Sequence, residues 1–264
     1  MPTKIAVRNL HLAFNGLEVL RGLDLDVELG GTLVVMGQSG CGKSVLLKCM
    51  LGLIRPDAGS IVIDGEDVTR LSEERLNAVR RQFGMLFQGA ALFDSLSVGE
   101  NVAFPLVERR SCPPGEIPNV VRRKLEAVGL AGTENMRPSQ LSGGMKKRVG
   151  LARALAMDPE VIFYDEPTTG LDPVVADQIN DLIVKLKRER SHTAVVVTHD
   201  IHSACRVADR MVLLSKGRIE AEGSPEEMRG SANVLMRAFF EGSGMQTTGA
   251  DSARGGAHGP VQGG

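Results

Sequence analysis

The chain has 264 residues, enough for one large α/β domain or two small ones, with 42% hydrophobic residues, 3% aromatics, no Trp and a formal net charge of −1. So few aromatic platforms and no basic excess exclude a base-stacking nucleic-acid reader, so no nucleic acid is expected as a partner. The 31 glycines signal many positions that need positive φ or close backbone approach.

Taken in chain order, residues 4–13 and 17–29 alternate apolar and polar, as half-buried antiparallel strands do. Met1-Pro2-Thr3-Lys4 leads straight into this pattern, so no secretion leader is expected. Leu33-Val34-Val35-Met36 is a continuous apolar run, the mark of a strand covered on both faces. The pattern predicts a helix over 43–53 and short strands over 60–64 and 83–87. From 97 to 157 it predicts helices broken at Pro105, Pro113, Pro114 and Pro138. Strands follow at 161–164 and 193–198, helices at 173–190 and about 200–208, and a strand pair over 210–222 turns at Lys216-Gly217. Ser224-Pro225-Glu226-Glu227 starts a last helix with a capping box and runs to about Glu241. Alternating strands and helices imply a mostly parallel sheet with helices on both faces. Residues 242–264 lose all periodicity and read as a disordered Gly-rich tail. No apolar run reaches the roughly 18 residues that a membrane-spanning helix needs. Cys41, Cys49, Cys112 and Cys205 lack metal spacing and read as free thiols of a reducing compartment, the cytosol.

Gly37-Gln38-Ser39-Gly40-Cys41-Gly42-Lys43-Ser44, followed by Val45, matches a phosphate-binding loop and stands where one belongs, between a buried strand and a helix. A triphosphate is compact and strongly anionic. Glycines let backbone N–H groups curl around it, and the helix N-terminus adds positive potential. Lys43 is expected on the β- and γ-phosphates and Ser44 on Mg²⁺. Asp165 and Glu166 end a buried strand, where α/β sheets bind ligands. Asp165 is expected near the metal, and Glu166 is expected to orient or deprotonate the attacking water.

Leu141-Ser142-Gly143-Gly144-Met145 resembles the signature sequence of ABC ATPases and lies just upstream of the acidic strand. With the phosphate loop and the Asp165-Glu166 pair it identifies the chain as similar to that family over about residues 4–222. The resemblance implies an α/β nucleotide-binding domain over 1–241, with a RecA-like P-loop core, an antiparallel β subdomain and an inserted helical subdomain at about 89–157. It implies ATP and Mg²⁺ as ligands and a homodimer that sandwiches the nucleotide. By the same resemblance Gln88 is the Q-loop glutamine and a metal neighbour, and His199 the switch histidine. Ser142, Gly143 and Gly144 would cap a γ-phosphate in the partner subunit, Asp172 would reach across the dimer, and Phe14 would stack on adenine. Three of these have a plainer account: a surface His at a strand end for His199, an N-cap before Pro173 for Asp172 and a core Phe for Phe14.

Three further readings stay open between a functional and a plain account. Lys146-Lys147-Arg148, in the first turn of a helix, is either a solvated face or a cluster facing phosphates or an acidic partner. Cys41 is either a thiolate favoured by the helix dipole and Lys43, or a filler of a small slot. Residues 89–107 are either a docking surface for a permease or ordinary core. A single domain with a short helical insert resembles a transporter subunit. The stretches 87–98, 101–106 and 163–173 resemble the ATPases of Mla/Mce phospholipid trafficking. That likeness implies an integral-membrane permease, an Mce-type lipid-binding protein and a STAS-domain protein as partners, at the cytoplasmic face of the inner membrane. An importer of amino acids or other small solutes is the alternative, and a soluble ABC ATPase acting on nucleic acid the alternative of another class.

Overall fold

The computed structural model describes residues 2–190 and 192–243; the tail expected over 242–264 lies outside the described residues from 244 onward. Its strands are β1 (Thr3–Phe14), β2 (Leu17–Glu28), β3 (Thr32–Met36), β4 (Ala58–Ile63), β5 (Glu66–Asp67), β6 (Phe83–Leu86), β7 (Val161–Asp165), β8 (Thr193–Thr198), β9 (Arg210–Ser215) and β10 (Arg218–Gly223). Its α-helices are α1 (Lys43–Met50), α2 (Glu73–Val79), α3 (Val98–Glu108), α4 (Ile117–Ala127), α5 (Gly143–Ala154), α6 (Pro173–Arg190), α7 (Ile201–Val207), α8 (Pro225–Arg229) and α9 (Val234–Gly242).

Two sheets form. One is antiparallel, with order β2-β1-β4-β5; the other has order β10-β9-β3-β8-β7-β6 and is parallel except for β10 on β9. Strands β3, β7 and β8 lie inside the second sheet, and all their residues but Asp165 are buried. Their alternate side chains feed two separate cores. Val34, Met36, Ile162, Tyr164, Ala194 and Val196 join the core shared with α3 to α6. Leu33, Val35, Val161, Phe163, Val195 and Val197 join the core shared with α1 and the antiparallel sheet. The C-terminal ends of β3, β7 and β8 therefore meet at one edge, and the functional side chains leave the sheet there.

Several expectations need correction. The first helix ends at Met50 rather than at 53, because Gly52 at φ 66 closes a C-terminal turn. Pro105 does not break its helix: it sits inside α3, where its ring costs the hydrogen bond to the Asn101 carbonyl and the helix continues to Glu108. Buried Asn101 instead fastens the preceding loop, accepting from the Phe93 N–H at 2.8 Å and donating to the Phe93 carbonyl at 3.1 Å. The last helix is two helices, α8 and α9, interrupted after Gly230; α8 carries the expected capping box at Ser224 and Glu227.

Candidate active site

The loop between β3 and α1 holds three glycines at φ 154 (Gly37), 79 (Gly40) and 109 (Gly42), conformations that L side chains rarely adopt. At Gly37 the constraint is also steric, since a Cβ there would meet the Leu214 carbonyl of β9 at 2.3 Å. Helix α1 starts with no side-chain cap and no acidic residue in its first turn, so its positive end is left for a ligand. The buried Lys43 ammonium donates to the Gly37 carbonyl at 2.8 Å and the Gln38 carbonyl at 3.1 Å, and lies 3.7 Å from Glu166 Oε1. The cation thus braces its own loop and faces the acidic strand end.

At that strand end Asp165 accepts from the Ser44 hydroxyl at 3.0 Å. Burial pushes the Asp165 carboxyl above the usual range, partly offset by the Ser44 hydrogen bond. Glu166 is buried and holds a left-handed φ of 47, costly for a residue with a Cβ. Its Oε2 accepts from the Thr169 hydroxyl at 3.0 Å and pairs with His199 Nδ1 at 2.9 Å, which aims the carboxylate. A cavity of about 600 Å³ opens beside these groups, lined by Gln38, Ser39, Gly40, Gly42, Lys43, Ser44, Val45, Gln88, Glu166 and His199 from the sequence reading. Val19 of β2 and Phe239 of α9 complete the wall. Sequence reasoning missed both, and only the amphipathic pattern of α9 offered a hint of Phe239.

The structure bears on three of the open readings. Burial pushes the Cys41 thiol up, and the Lys43 charge only partly offsets this. A Cβ on Gly37 would meet Cys41 Sγ at 2.5 Å, so the sulfur packs against the loop's own base, as a space-filler does. The Lys146-Lys147-Arg148 face is not uniformly solvated, because Lys147 is buried at 5% exposure. Phe14 is exposed beside the Asn15-Gly16 turn and is not among the residues lining the cavity.

The ABC transporter family model matches residues 20–169. The chain belongs to the ABC transporter ATP-binding family. It is 41% identical over 238 residues, and 90% of each chain, to the intermembrane phospholipid transport system ATP-binding protein MlaF of Haemophilus influenzae. It is 40% identical over 242 residues to the probable ribonucleotide transport ATP-binding protein mkl of Mycobacterium leprae, covering 92% of this chain and 70% of that one. Among solved structures, the dimeric ATP-binding cassette MJ0796, in a post-hydrolysis state bound to ADP and Pi, superposes with a TM-score of 0.77 at 33% identity. That match covers 84% of this chain and 98% of the other.

The fold is accordingly that of an ABC ATPase cassette, α/β with one antiparallel and one largely parallel sheet, and the chain is an ATP-binding and ATP-hydrolysing subunit. Within that family pattern the signature residues stand apart from the cavity. Ser142 is exposed and N-caps α5, accepting from the Met145 N–H at 3.3 Å; Gly143 beside it is exposed as well. Gly144 is buried, and a Cβ there would meet Val175 Cγ1 of α6 at 2.5 Å. Asp172 is exposed and N-caps α6 through the Val175 N–H at 3.1 Å.

Proposed function

We propose that this chain works as one half of an ATP-sandwich dimer and powers phospholipid transport of the Mla/Mce type. The observation carrying the first part is the division of the motifs. Lys43, Ser44, Glu166 and His199 converge on one cavity, while Ser142, Gly143 and Asp172 face outward, away from it. A second copy would bring its own Ser142 loop, with another helix N-terminus, onto a triphosphate held by the first. Glu166, fixed by Thr169 and His199, would then orient a water toward the γ-phosphate and take its proton. Closure would exclude bulk water and strengthen these contacts. Ser44, which lines the cavity, and Asp165, which accepts its hydrogen bond at 3.0 Å, are two hard oxygen donors that suit Mg²⁺; Gln88 lines the same cavity. When bound, that ion supplies positive charge to the β- and γ-phosphate oxygens.

The phospholipid reading is supported by the Haemophilus relative, which spans 90% of both chains. The name of the Mycobacterium relative favours ribonucleotides as the second reading, ahead of the small-solute importer. Among the described residues no helix is long and apolar enough to cross a membrane, so transport requires partners. We read the partners as an integral-membrane permease, an Mce-type lipid-binding protein and a STAS-domain protein, holding the chain at the cytoplasmic face of the inner membrane. A groove of about 430 Å³ between Phe87, Phe93, Phe104, Pro105 and Met157 is the docking surface we assign to the permease. Phe93 and Phe104 stack at 4.7 Å and remain 43% and 37% exposed. Within 89–107, Ala90 and Val102 turn inward to core instead.

The test purifies the assembled complex through a tag on this chain and identifies the small molecules it carries by mass spectrometry. Phospholipid is the expected cargo, and ribonucleotide with no lipid would overturn the assignment. Phe93→Arg is expected to lower recovery of the chain with membranes by about tenfold while ATP binding persists, since it replaces an apolar contact by a third cation beside Arg109 and Arg153 in the groove. Unchanged recovery of folded mutant would remove the groove as the docking site.

A further inference from the structure

Lys147 has no part in the function proposed so far, yet it is one of the most buried cations of the chain. It lies five positions after Ser142, on the helix that the signature residue caps. Its ammonium donates to the Glu166 carbonyl at 3.0 Å and to the Gln88 carbonyl. Among the described residues it makes no ion pair, and both hydrogen bonds end on backbone. The two carbonyls belong to the residue that directly follows β7 and to the second residue after β6. The Glu166 backbone is unusual there, with φ 47; the left-handed Ala90 and Ala91, beyond Gln88, are held separately by Arg153, which donates to both their carbonyls. Left-handed residues persist only when their surroundings hold them. Burying a lysine is unfavourable unless its hydrogen bonds are made well, so a solvated surface would be the easier place for it. The environment agrees: burial lowers the Lys147 pKa, and the charges of Asp165 and Glu166 only partly offset this.

We propose that Lys147 is a positioning residue that ties the signature helix to the backbone of this chain's own Glu166 and Gln88. The inference rests on the sandwich dimer. In that dimer the Ser142 end of α5 meets the nucleotide held by the partner, while Lys147 on the same helix holds the backbone of Glu166, whose carboxylate acts on this chain's own nucleotide. A shift of α5 on meeting a γ-phosphate at one site would therefore be felt as a shift of Glu166 at the other. The coupling path is short and physical: one helix, one side chain and two carbonyls.

The test compares full-length wild type with Lys147→Met, Lys147→Gln and Lys147→Arg. Lys147→Met is expected to lower kcat by about tenfold or more while affinity for a fluorescent ATP analogue stays within about twofold, because Glu166 is mis-aimed but the phosphate loop is intact. Its ATP dependence becomes hyperbolic where wild type is cooperative. Lys147→Arg, which keeps charge and donors, restores most of kcat. The proposal is overturned if kcat of the Met and Gln variants stays within about twofold of wild type, or if affinity falls in step with kcat. It is equally overturned if Arg fails to rescue although it melts like wild type, or if wild type is itself hyperbolic. If Lys147→Met does not fold, the Gln and Arg variants decide by the same criteria. A Glu166→Gln control, sized with and without ATP, separates the two ideas: no ATP-dependent dimer sinks the sandwich reading and this inference with it. A dimer with unaffected Lys147 variants sinks this inference alone.

Discussion

The nucleotide cavity and the signature loop are both polar helix starts, but they use their polar groups differently. Around the cavity, side chains from separate elements hold one another: Ser44 of α1 with Asp165 of β7, and Glu166 with Thr169 and His199. At the signature loop and at the start of α6 each capping side chain is spent on its own helix, Ser142 on the Met145 N–H and Asp172 on the Val175 N–H, and both residues remain exposed. One region is organised as a pocket inside a single chain. The other is organised as a stiff surface, and it acquires chemistry only against something else.

Breaking the first region should have the largest effect. Lys43→Ala removes the buried cation that braces the loop and faces the triphosphate. Hydrolysis by the assembled complex is expected to fall by about 10³-fold, with weaker ATP binding as well, measured by phosphate release and by equilibrium titration. Near-normal turnover would show that the cavity is not the catalytic half. Breaking the second region should spare binding. Ser142→Arg places a bulky cation on an exposed loop. ATP binding by the isolated chain is expected to stay within about twofold, while hydrolysis in the complex falls by about 10²-fold because the loop no longer seats on a partner's nucleotide. If binding by the isolated chain fell too, the division between the two regions would be wrong.

The smallest effect sharpens the inside of the pocket itself. Cys41 is expected to alkylate about tenfold more slowly than an exposed thiol at neutral pH, because burial disfavours the reactive thiolate. The sign follows from the raised pKa: the labelling rate should keep climbing with pH beyond the point where an ordinary thiol levels off. Mg-ATP should change the rate by less than about twofold, since the sulfur faces the loop's base. Mass-spectrometric mapping of alkylated Cys41 against pH checks this; fast labelling at neutral pH with strong nucleotide protection would restore the activated-thiol reading.

Much of this was legible in the sequence because its signals are local. Residues 161–164 and 194–197 are continuous apolar runs inside their strands, and the helix over 173–190 has Asp172 as cap and Pro173 at its first position. The motif residues that line the cavity follow directly from those strand ends. What stayed illegible depends on tertiary approach. A lysine in the first turns of a helix reads as solvated, and only the arrival of two strand ends buries Lys147. The same holds for Phe239, delivered to the cavity by the distant C-terminal helix α9. Residues 65–82 gave no clear pattern, because β5 is two residues long and α2 seven. Cys41 stayed open in the sequence because helix dipole and neighbouring charge are visible there, whereas desolvation is not.

Gly37 carries a consequence for how such loops evolve. Any side chain there would run into the Leu214 carbonyl of the neighbouring strand, whether or not a nucleotide ever binds. Selection for folding and selection for phosphate binding therefore press on the same position and cannot be told apart by its retention. A descendant of this chain that had lost all use for ATP would still be expected to keep this glycine. Gly40 differs: a Cβ added there would meet nothing within 4 Å, so only its positive φ would slow its drift. In a lineage of decayed ATPases, Gly40 rather than Gly37 would record when the nucleotide was lost.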